Sequence, residues 1–72
     1  MDTIAVFRSR NEALQLVKAL NKMGISCTAI NTPSSLNIGC GLSVVFSASV
    51  TSIVSAEINR LNLKYFKGFF DK

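Results

Sequence analysis

The stretch Thr3-Ile4-Ala5-Val6-Phe7-Arg8-Ser9-Arg10-Asn11-Glu12 changes character at Arg8, and that change decides the fold. Thr3 to Phe7 is short, β-branched and aromatic, the pattern of a buried strand. Ser9 and Glu12 then have the spacing of a capping box: the Ser9 hydroxyl accepts from the Glu12 backbone N–H, and the Glu12 side chain reaches back. A helix is therefore predicted from Arg10. Along it Ala13, Leu16, Val17, Leu20 and Met23 form one apolar stripe, while Gln15, Lys18 and Lys22 face away. Gly24 ends it as the left-handed residue after the last turn.

The same reading extends outward. Ile25 to Ile30 alternates as a second strand, with Ile25, Cys27 and Ala29 facing the helices. A polar loop follows, Asn31-Thr32-Pro33-Ser34-Ser35-Leu36-Asn37-Ile38-Gly39-Cys40-Gly41. Leu42 to Phe46 is a third strand. Val50, Ile53, Val54, Ile58 and Leu61 mark a second helix beginning near Ser47 to Ser49, weaker because it is rich in Ser and β-branched residues. Asn62 breaks it, and Leu63 to Phe70 is a last strand. The order βαββαβ predicts an α+β, ferredoxin-like split βαβ arrangement: a four-stranded antiparallel sheet with both helices on one face, forming a single domain over residues 1–72.

Composition sets limits on function. The chain has 72 residues, 49% of them hydrophobic and 17% charged, enough apolar area to order one core. No apolar run reaches the length of a membrane span and the start lacks a secretory pattern, so a soluble cytoplasmic protein is expected. Two cysteines, Cys27 and Cys40, fit a reducing compartment better than a disulfide scaffold. The net charge of +4 is spread without runs and favours an anionic partner only weakly. With no His and only four carboxylates, a zinc site or a Cys-His pair within one chain is excluded. No metal or cofactor is expected.

Cys40 is the candidate for chemistry. A thiolate is favoured by helix amino termini, cationic side chains and free N–H groups, and Gly39 and Gly41 leave the residue sterically open. Equally, Gly-Cys-Gly is short enough to be an inert turn. The topology puts the loop at the edge where the first helix starts, on a rim with Arg8, Arg10 and Arg60. Cys27, mid-strand and facing the helices, is expected to be a buried, inert thiol. If Ile30 pairs with Leu42, Cys27 lies opposite Val45 and roughly 17 Å from Cys40. That is too far for a disulfide, which needs α-carbons within about 7 Å.

Two binding readings follow from the sheet. Stacking of RNA bases needs aromatics on the open face, but Ile4, Ser43, Val6 and Val45 would share one face and Ala5, Phe7, Val44 and Phe46 the other. Gly41 to Phe46 also lacks the basic start and doubled aromatics of the RNA-binding signature, so nucleic acid is not an expected partner. An open face carrying Ile4, Val6, Ile30 or Phe66 would be an apolar patch, and a small domain covers one by forming a homodimer or docking a partner.

Phe7 with Ser9 and Ala13, then Gly24-Ile25, then Thr32-Pro33 followed seven residues after Pro33 by Cys40-Gly41 and an apolar strand, resembles the small bacterial Se/S carrier protein-like domains. The likeness covers nearly the whole chain, and its most specific part is the Thr-Pro to Cys-Gly spacing. The resemblance implies a compact α/β domain whose Cys40 bears sulfur or selenium as a persulfide or selenopersulfide, with Gly41 beside it and Pro33 shaping the loop. It implies donor and acceptor proteins as partners, and a carrier more than a stand-alone enzyme. One departure matters. Ser34 follows Pro33 where the family usually has Arg, which removes a natural thiolate partner, and the run before the cysteine is Asn37-Ile38-Gly39. Arg8 and Arg10 are the candidates to substitute. The residues also leave open a non-catalytic module of the same fold that dimerises or docks through its sheet, with Cys40 incidental.

Overall fold

The computed structural model describes residues 2–33 and 41–71. Strand β1 (Asp2–Phe7) leads into helix α1 (Arg10–Lys22), then β2 (Cys27–Asn31) and β3 (Leu42–Ser47). A 3₁₀ turn (Ala48–Val50) opens helix α2 (Thr51–Arg60), and β4 (Phe66–Asp71) closes the sheet. The strand order is β2-β3-β1-β4 with every pairing antiparallel, which is the ferredoxin-like arrangement. Ala5, Phe7, Val44 and Phe46 from the sheet share one core with Ala13, Leu16 and Leu20 of α1 and Val54 and Ile58 of α2, so both helices lie on the same face. Leu16 and Leu20 have no exposed surface and contribute roughly 1.5–3 kcal/mol each through burial.

Both helices stop by the same device. The Ile25 and Gly24 N–H groups donate to the Leu20 and Asn21 carbonyls at 2.9 and 3.0 Å, with Gly24 at φ 79°. Leu63 and Asn62 repeat the pattern onto Ile58 and Asn59 at 3.2 and 3.1 Å, with Asn62 at φ 55°. Each is a Schellman cap, and Asn is the side chain that best tolerates the left-handed position when Gly is absent. The apolar stripes are narrower than their sequence pattern. Met23 is half exposed because it falls at the cap, and Ile53 points outward from α2, where Glu57 takes a buried place instead.

The β2–β3 register differs by one residue from the expected pairing. Ile30 faces Ser43 and Cys27 faces Phe46. A one-residue slip would turn a whole strand over. Cys27 and Ala29 pack against the helix-side core, so they must oppose Phe46 and Val44, which do the same, and not Val45.

The last strand starts at Phe66, later than the predicted Leu63, and is bulged. Phe7 pairs with Phe66 but Val6 pairs with Gly68, leaving Lys67 as the extra residue. Residues three apart on a regular strand point to opposite faces; the bulge lets Phe66 and Phe69 both face the helices. There Phe7, Phe66, Phe69 and Phe46 form a continuous row with ring centroids 5.4, 4.9 and 5.9 Å apart. Phe66 is thus a core residue and not part of an open-face patch. On the opposite face Ile4 and Val6 are each only 1% exposed, so the expected apolar patch is not formed by them either.

Candidate functional site

The β2–β3 ladder ends at Asn31 opposite Leu42, and one further hydrogen bond closes the neck of the polar loop: the Thr32 N–H donates to the Gly41 carbonyl at 3.3 Å. The hydroxyls of Thr32 and Ser43 also bond at 3.0 Å. Ser43 has no exposed surface, so this bond satisfies a hydroxyl that would be costly to leave unpaired. Pro33 follows directly and is half-buried. Its fixed φ and missing N–H suit a chain leaving the ladder.

Gly41 is held from the other side by β1. A β-carbon there would collide with the Phe7 carbonyl oxygen and would stand 3.2 Å from the Arg8 α-carbon. Only glycine allows this approach of two backbones. Its place in the Cys-Gly pair therefore has a packing reason that is independent of cysteine chemistry.

Arg8 joins the end of β1 to Ser9, the N-cap of α1, whose hydroxyl accepts from the Glu12 N–H at 3.3 Å. The second half of the predicted capping box is not made. Instead the Glu12 carboxylate accepts from the Lys64 and Tyr65 N–H groups, both at 2.8 Å, and the Arg8 N–H donates to the Tyr65 carbonyl at 3.0 Å. Charge-assisted bonds to two donors outweigh the single bond back to the cap. They explain why β4 begins late: the N–H groups of its predicted first residues are already taken. The segment before β4 thereby braces the strand-to-helix corner against which Gly41 rests.

The predicted site residues are thus partly assembled. Gly41 and the Arg8 backbone are in contact, and Pro33 is one residue from Thr32, the partner of Gly41. Arg8 and Arg10 are exposed, and neither is in an ion pair among the described residues. Arg60 is paired within its own helix. Its guanidinium is bound to Glu57 in a two-pronged pair, Nε and Nη2 reaching the carboxylate at 2.9 and 2.8 Å, and it lines a groove between the helices. That bond holds the Glu57 carboxyl below its ordinary value, against the opposing effect of its burial. Cys40, Gly39 and Ser34 lie outside the described residues.

Cys27 is the second thiol. It packs against the core, with its sulfur 3.9 Å from the Val17 carbonyl and 3.8 Å from Asn21 Oδ1. Burial pushes its thiol above the ordinary value, the opposite of what a nucleophile needs. Among the described residues no cluster of His, Cys, Asp or Glu could hold a metal, and no helix is long and apolar enough to cross a membrane.

The model of the family described as Putative Se/S carrier protein-like matches residues 2–69. No curated protein and no solved structure matches the chain.

Proposed function

The chain belongs to the Se/S carrier protein-like family, and from that premise we propose that it carries sulfur or selenium on Cys40 between a donor and an acceptor protein. The Cys40 thiolate attacks the outer sulfur of a donor persulfide. The bond between that sulfur and the donor's cysteine breaks, the donor leaves as a thiolate, and Cys40 becomes a persulfide. An acceptor thiolate repeats the exchange, so no external oxidant or reductant is consumed. A selenopersulfide moves by the same steps. The protein is a co-substrate in both, more than an enzyme. A reducing, cytoplasmic compartment suits a chain with two cysteines and this chemistry.

The observation that carries this reading is the family match over residues 2–69, joined by the packing of Gly41 against Phe7 and Arg8. That packing ties the residue that follows Cys40 to the corner where α1 begins, and helix amino ends and cations are what favour a thiolate. Arg8 and Arg10 at that corner are the cations available where Ser34 replaces the family's usual Arg. The alternative, a module docking through its open sheet face, loses support because Ile4 and Val6 are buried. Replacing Cys40 by Ser separates the two: it abolishes transfer of label from a persulfide donor in the carrier reading. Transfer that persisted in the variant would overturn that reading.

A further inference from the structure

One hollow among the described residues shares no lining residue with the loop neck. It is a groove of about 710 Å³ between the helices, walled by Gln15, Lys18, Ala19, Lys22, Arg60 and Leu61. A second hollow of about 350 Å³, formed by Asn11, Leu14, Gln15 and Lys18, adjoins it through Gln15 and Lys18. Leu14, Lys18 and Lys22 are spaced four apart and so run down one side of α1, a strip about 12 Å long.

The strip combines two kinds of surface. Leu14 is 47% exposed, and Ala19, Leu61 and the lysine stems add apolar area. No carboxylate lines either hollow. Arg60 already has Glu57, but Lys18 and Lys22 are in no ion pair among the described residues, so the groove keeps a net positive charge. No aromatic residue lines it, which leaves nothing to stack a nucleic-acid base.

We propose that this groove docks an acidic amphipathic segment of the protein that exchanges sulfur with Cys40. Leucine-like anchors of the segment would sit against Leu14, Ala19 and Leu61, and its carboxylates would meet Lys18 and Lys22. The identity of the partner rests on the carrier reading; the chemistry of the groove does not.

The test uses the isotope-labelled full chain, titrated with a synthetic helical peptide of Glu and Leu and, separately, with a single-stranded RNA oligonucleotide. The peptide should shift the amide signals of Gln15, Ala19, Lys22 and Leu61, and its affinity should fall with rising salt. Lys18→Glu with Lys22→Glu should weaken it by at least about tenfold. Lys64→Glu with Lys67→Glu, which adds the same charge elsewhere, should weaken it far less. Equal losses in the two double variants, shifts mapping away from the groove, or tighter binding of the RNA there would overturn the proposal. Loading of Cys40 by inorganic polysulfide should be unchanged in Lys18→Glu/Lys22→Glu. Absence of loading in the wild-type chain would sink the carrier reading, while the peptide titration would still decide the groove.

Discussion

Gly41 and Cys27 show how much a single position is asked to do. At Gly41 the close approach to the Phe7 carbonyl leaves no room for a side chain, so Gly41→Ala must push apart β1 and the loop neck. A loss of about 1–3 kcal/mol is expected in urea unfolding, the usual cost of overpacking. An unchanged midpoint would mean that the two backbones are not so close. Cys27 has its thiol pKa raised by burial, so its neutral form is favoured in the folded state. Its contribution to stability is therefore complete below the unfolded thiol value of about 8.5 and declines as pH rises through it toward the raised folded value. Cys27→Ser should flatten the alkaline fall in stability. At neutral pH, iodoacetamide should modify Cys27 more slowly than Cys40; the reverse order would remove the assignment of Cys27 as the inert thiol. That Cys27 faces the helices is legible from alternation along its strand, but it is half-buried where full burial is expected. The need for Gly41 is not legible, because it arises from a contact with Phe7, thirty-four positions earlier in the chain.

The elements formed as their patterns predict, and their deviations trace to contacts distant in sequence. Ser9 caps α1 as its spacing to Glu12 requires, yet the Glu12 carboxylate serves Lys64 and Tyr65, more than fifty positions on. A capping-box motif describes only what its own turn offers; a pair of free N–H groups brought in by the fold competes and wins. Glu12→Gln keeps one acceptor and places an amide N–H₂ against the second donor. It should cost about 1 kcal/mol, the net worth of a hydrogen bond whose groups stay accessible to water, read from the unfolding midpoint. A change of a few tenths would show the brace to be incidental. In α2 the pair Glu57–Arg60 lowers the carboxyl's pKa. The stability it provides is present above the unfolded Glu value and is lost as pH falls through the lowered folded one. Arg60→Ala should remove that acid slope, and a slope equal to wild type would contradict the pairing. The β4 bulge was beyond a period-two reading, since Phe66 and Phe69 share a face only because Lys67 is extra.

At the scale of the whole molecule, the order of elements was enough to predict the sheet and the side on which the helices lie. Hydrophobic periodicity reports which residues are buried, and with short connections it leaves few topologies. Register was harder. Pairing Ile30 with Leu42 sets helix-facing Cys27 against outward-facing Val45, so matching faces across the two strands is the signal in the sequence that corrects it. The buried state of Ile4 and Val6 had no such signal, because alternation gives a face and not what lies over it. The candidate site was legible as a spacing, Thr32-Pro33 to Cys40-Gly41, and the fold supplies a physical basis for its ends: Thr32 bonded to Gly41, and Gly41 against the corner before α1. The central claim is that Cys40 is the atom carrier. Intact mass of the full chain after incubation with a persulfide donor, followed by peptide mapping, tests it most directly. One added sulfur on Cys40, with Cys27 unmodified, is the predicted result; no added sulfur, or sulfur on Cys27 instead, would contradict it.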